Sequence, residues 1–107
     1  MKRGDLVTIV SLGASSKPIP ALVIQSDLFA QHPSVTVLPV TKELRETPLF
    51  RVAVTPSTDN GVRRPSQVRV DKAQSVPRQM IGEVFAHLDG KALLVVNRVL
   101  AVFLGFA

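Results

Sequence analysis

The run "VTVLPVT", residues 35 to 41, sets the fold class. Its density of β-branched residues suits a pleated, half-buried strand, and Pro39 inside it marks an edge or a bulge. Similar runs recur at Leu6 to Ser11, Ala21 to Gln25, "FRVAV" and Val68 to Ala73, with a shorter one from Gly82 to His87. The stretches "LGASSKPIP", "KELRETP" and "TPSTDNGVRRPS" break them apart with Gly, Pro, Ser and charge, as surface connections do. "SDLFAQHPS" has room for one helical turn before Pro33 ends it, and a turn surrounds Pro77. A full helix is predicted only from about Lys91 to Leu104, capped by Asp89 and stopped by Gly105. The expected fold is mainly β: a small, strongly curved barrel of five to six strands closed by a C-terminal α-helix.

Composition narrows what such a barrel can do. A chain of 107 residues makes one domain, 1–107, and 46% hydrophobic residues against 20% charged ones fit a globular protein. The absence of cysteine excludes disulfides, thiolate metal sites and a cysteine nucleophile together. His32 and His87 stand far apart in sequence with no carboxylate cluster beside them, so neither a metal nor a cofactor is expected. There is no Gly-rich phosphate loop and no G-x-S-x-G elbow. The net charge of +5 suits a polyanion or an acidic protein partner.

The final run "ALLVVNRVLAVFLGFA" holds Asn97 and Arg98 and falls short of the ~20 apolar residues a membrane span needs. The amino terminus lacks the apolar core and cleavage site of a secretory leader, so the expected location is the cytoplasm. The last helix is apolar on nearly every side, which predicts a homodimer, since one barrel would bury only part of it.

One stretch carries candidate chemistry. In "SQVRVDK" the strand period gathers Gln67, Arg69 and Asp71 on one side and sends Val68 and Val70 to the other. Cleavage of RNA by its own 2′-hydroxyl needs a base, a cation for the charge growing on the phosphorus oxygens, and a proton for the leaving oxygen. Arg69 and Asp71 supply two of these; the competing reading is an exposed ion pair worth under ~1 kcal/mol.

The blocks "RGDLVTI", "PALVIQSD", "VTVLPVT", "PLFRVAV", "NGVRRPSQVRVDKAQSV" and "NRVLAVFLG" stand in the order and at separations similar to those of the MazF/PemK family of toxin endoribonucleases. This resemblance implies an SH3-like barrel, a homodimer, metal-independent cleavage of single-stranded RNA at short sequences, and a cognate antitoxin that covers the active groove. By position it makes Asp71 the base, Arg69 the phosphate stabiliser and Thr41 a hydroxyl ligand of the scissile phosphate. Gln67 and Phe50 become candidates for holding a nucleotide or stacking a base, although either can be structural. Lys17, Arg63 and Arg64 become candidates for backbone phosphates.

The sequence departs from the resemblance in "KPIPALV", where the family commonly places a catalytic Arg before the Pro and this chain has Ile19. "GASSKP" also lacks the histidine of PemK-like members. Weakened catalysis is therefore expected. Two alternatives stay open: a gyrase poison like the related CcdB toxins, which "SVPRQMIGEVFAHL" resembles, and a noncatalytic antitoxin-binding module.

Overall fold

The computed structural model describes residues 1–10 and 17–107. Among these residues, seven strands and one helix follow in the order β1 (Asp5–Ile9), β2 (Ile19–Val23), β3 (Ser34–Thr41), β4 (Arg51–Val54), β5 (Ser66–Arg69), β6 (Gln74–Pro77), β7 (Ile81–His87) and α1 (Gly90–Leu104). Short 3-10 turns occupy Asp27–Phe29, Val70–Lys72 and Arg78–Met80. The strands pair antiparallel in the order β4-β5-β3-β2-β1-β7, with β6 on β3. The mainly β fold with a terminal helix is as expected, with seven strands instead of five or six. The sheet curls without closing, since among the described residues no ladder joins β4 to β7.

Strand β3 is the trunk of the sheet. Its first half pairs with β6 from Ser34 to Val37, its last residues Val40 and Thr41 pair with β5, and Pro39 stands between the two partners. A proline has no N–H to give a ladder, and here the gap between β6 and β5 asks for none. Both faces of the sheet carry apolar clusters. Leu22, Leu38, Val40, Val52 and Val68 point into the main core together with Val96 of α1. Val7, Ala21, Val23, Val35 and Val37 form a second cluster with Val76 of β6 on the opposite face. That double burial explains why these strands read as nearly continuous apolar runs.

Helix α1 begins where Asp89 accepts the amide of Ala92 at 2.8 Å and ends at Gly105, whose φ of 84° is left-handed. Arg3 ties it to the barrel, donating from Nη2 to Asn97 Oδ1 at 2.7 Å and from Nε to the Ile24 carbonyl at 2.8 Å. No helix among the described residues is long and apolar enough to cross a membrane.

Three expectations change. The first strand ends at Ile9, and the expected end at Ser11 lies outside the described residues. The turn expected around Pro77 lies just after it, at Arg78–Met80, and a strand that the sequence did not suggest, Gln74–Pro77, leads into it. The fifth strand stops at Arg69 and does not reach Ala73, because the chain coils into the 3-10 turn Val70–Lys72. Val70 remains fully buried there, and its amide donates to the Phe50 carbonyl at 2.9 Å.

Candidate active site

The second face, beyond its apolar cluster, runs out onto a polar surface at the ends of β2, β3, β4 and β5. Register fixes its rows. Thr41 lies opposite Gln67, and Gln67 lies opposite Ala53. In the next row Arg69 lies opposite Arg51. Antiparallel partners share a face, so these side chains form one patch while Val40, Val52 and Val68 point into the core. The β2–β3 ladder ends at Ala21↔Pro39, and Ile19 begins β2 beyond that pair, where it pairs with Ile9 of β1. Ile19 is 51% exposed.

The segment between β3 and β4 folds across the patch. Gln67 Nε2 donates to the Arg45 carbonyl at 2.9 Å, and Gln67 Oε1 accepts the Arg45 amide at 3.0 Å. The same Oε1 accepts Nη1 of Arg51 at 2.9 Å, and that Nη1 also donates to the Glu43 carbonyl at 2.8 Å. Gln67 thus spends its carboxamide on holding this segment and Arg51. Thr41 Oγ1 accepts the Glu43 amide at 3.0 Å and keeps its hydroxyl proton to donate.

Glu43 forms the one ion pair among the described residues, with Arg45. The hydrogen bond and charge of Arg45 hold its carboxyl below the usual carboxylate range, with smaller contributions from the charges of Arg51 and Arg69. A depressed carboxyl favours the folded state above its unfolded pKa, and that contribution fades as pH falls through the folded value. Glu43 is exposed, so solvent screens the pair.

The 3-10 turn means that Arg69 and Asp71 do not alternate along one strand, as the sequence suggests. Nor do they pair with each other: neither side chain has an ion-pair or hydrogen-bond partner among the described residues. Both are half-buried, and Arg69 Nε and Asp71 Oδ1 are shielded from water with no partner. The competing reading as an exposed ion pair therefore fails on geometry.

The remaining candidates divide. Thr41, Arg63 and Arg64 line a cavity of about 910 Å³ together with Lys42, Thr8 and Ser57, with no carboxylate among the described residues on its wall. Neither Arg69 nor Asp71 lines it. Gln67 and Arg51 border a second depression of about 540 Å³ beside Arg45 and Thr47. Thr41 belongs to the polar patch by register and to the cavity by contact, which makes it the hinge between the two. Phe50 is half-buried and lines neither, and Lys17 is exposed just before β2. No group of three or more His, Asp or Glu side chains could hold a metal among the described residues. His32 instead accepts the amide of Ser34 at Nδ1, 3.1 Å away.

Arg51 escaped the sequence reading. Its signal was present in "FRVAV", where Val52 and Val54 take the buried phase and Arg51 the outer one, but which strand lies beside β5 cannot be read from spacing.

Residues 2–104 match the family described as PemK-like, MazF-like toxin of type II toxin-antitoxin system. The chain is 37% identical over 108 residues to the probable endoribonuclease MazF of Mycolicibacterium smegmatis, covering 100% of this chain and 99% of that protein. Among solved structures it resembles an endoribonuclease in complex with its cognate antitoxin from a mycobacterial species, with a TM-score of 0.82 at 21% identity over 100% of this chain and 97% of that one. It also resembles a MazE-MazF complex from Deinococcus radiodurans, with a TM-score of 0.78 at 26% identity over 98% and 96% of the two chains.

Proposed function

The chain belongs to the PemK-like, MazF-like toxins of type II toxin-antitoxin systems, and from that premise we propose that it is an endoribonuclease that cuts single-stranded RNA and is neutralised by a cognate antitoxin. The curated relative named as a probable endoribonuclease shares its full length with this chain. Cleavage takes place on the polar patch, at short preferred sequences and without a metal.

In this mechanism Asp71 takes the proton of the 2′-hydroxyl as its oxygen attacks phosphorus. Arg69 meets the charge that builds on the non-bridging oxygens, and Thr41 donates its free hydroxyl proton to one of them. The bond to the 5′-oxygen breaks, that oxygen takes a proton from solvent, and a cyclic phosphate remains. Arginine holds its proton too tightly to serve as the acid. The observation that carries this reading is the pair of unpartnered atoms, Arg69 Nε and Asp71 Oδ1. Shielded polar atoms without partners cost stability, and a site that must receive a phosphate and a ribose hydroxyl is a reason to keep them.

Ile19 supplies no charge at the start of β2, so turnover is slow relative to relatives that carry an arginine there. The antitoxin offers an acidic, partly apolar segment that orders itself along the basic patch and competes with RNA. The test is direct: purified protein is incubated with mixed-sequence RNA in EDTA and the product ends are mapped. Clustered cuts ending in cyclic phosphate are expected, and intact RNA at high enzyme would sink the reading.

A further inference from the structure

Arg51 and Arg69 face each other across β4 and β5 as direct register partners on one side of the sheet. Like charges in that position destabilise a strand pair, so the arrangement asks for an anion between them. Nothing among the described residues fully provides one. Glu43 lies close enough for both arginines to lower its carboxyl, yet it is paired with Arg45. Arg69 has no side-chain partner among the described residues, and Arg51 donates only through Nη1.

That Nη1 is held from two sides, by the Glu43 carbonyl at 2.8 Å and Gln67 Oε1 at 2.9 Å. Both acceptors are neutral, so they orient the guanidinium without cancelling its charge. The planar fork is then fixed with its other N–H groups unspent, the state in which arginine binds a phosphate with the least further ordering. We propose that Arg51 is a second phosphate-contacting residue, and that an RNA backbone phosphate bridges it to Arg69. The proposal rests on the ribonuclease reading above. It gives the patch two cations for one phosphodiester in a chain whose Ile19 brings none, and it assigns Gln67 the task of positioning Arg51.

The test uses full-length protein and a random-sequence oligonucleotide carrying 2′-O-methyl riboses, which binds but cannot be cut. Affinity is measured between 50 and 200 mM NaCl for the natural sequence, Arg51→Ala and Arg51→Lys. Arg51→Ala should weaken binding about tenfold at low salt and reduce the slope of log K against log salt by roughly 0.7 to 1, the loss of one phosphate contact. Arg51→Lys keeps the charge and should keep the slope, while cleavage of ordinary RNA falls because a lysine cannot fork. An arginine that merely braces the segment after β3 would leave the slope unchanged in Arg51→Ala, and that result overturns the proposal. So does a variant that loses affinity for an acidic peptide but not for the oligonucleotide. Failure of the natural protein to bind or cut any RNA would instead remove the ribonuclease reading, and this inference with it.

Discussion

At the scale of single residues, Arg69 and Asp71 stand differently in the structure from the one strand face that their spacing predicts. Period-two alternation put Arg69 and Asp71 on one strand face, and the chain coils at Val70 because that side chain stays in the core while its amide finds Phe50. Local pattern yields to tertiary packing in this way wherever a strand ends inside the fold. Each role remains separable. Asp71→Asn should lower single-turnover cleavage by at least ~10²-fold with little change in stability, the scale of a lost general base, and Arg69→Ala should do the same as a lost transition-state donor. A stable variant that cleaves normally would move the chemistry elsewhere. Ile19→Arg should have the opposite sign. The side chain starts β2 and is 51% exposed, so a guanidinium fits without loss of core volume. A donor aimed at the phosphate is worth ~3 to 4 kcal/mol, or about 10² to 10³ in rate. Equal single-turnover rates for Ile19→Arg and the natural sequence would show that no cation is missing there.

At the scale of elements, sequence and structure agree best at β3, whose β-branched run is buried on both faces, and at α1, whose cap and stop are both spelled out by Asp89 and Gly105. Strand β6 was missed because Val76 is its one buried residue, too little for a periodic signal. The junction of β1 and β7 was equally invisible. Its register shifts between Leu6 and Ile9, and an added Cβ on Gly82 would stand 2.4 Å from Thr8 Oγ1. That oxygen accepts the Glu83 amide at 3.1 Å, so it cannot retreat without losing a hydrogen bond. Gly82→Ala should therefore cost about 1 to 3 kcal/mol, the usual range for overpacking, read as a lower urea midpoint at unchanged m. Adding Thr8→Ala should recover part of the loss, since it removes the obstructing atom. A double variant no more stable than Gly82→Ala would place the strain elsewhere in the bulge.

At the scale of the whole molecule, the helix has two apolar sides and the barrel covers one. Val96 is fully buried, and Ala92, Val99 and Leu100 complete a stripe at helical spacing that faces the core. On the far side Leu94, Val95, Val102 and Phe103 are between 45% and 62% exposed, and Phe106 follows at 81%. Val84 and Phe85 on the edge strand β7 are also nearly half exposed. Scattered apolar residues are ordinary on a surface, but a helix face of this length is not, and a second copy would bury it at the cost of few polar groups. We therefore expect a homodimer that uses α1. A stable pair needs roughly 800 Å² from each partner, which a four-turn helix and its flanking edge can provide. Light scattering at micromolar concentration should give twice the chain mass. Val95→Lys with Val102→Lys, two turns apart on the open side, should give a folded monomer, because neither position contributes to the core stripe. If the natural chain is already a monomer at that concentration, the exposed face serves another contact. If the lysine variant remains a dimer, the interface lies on the sheet and not on α1.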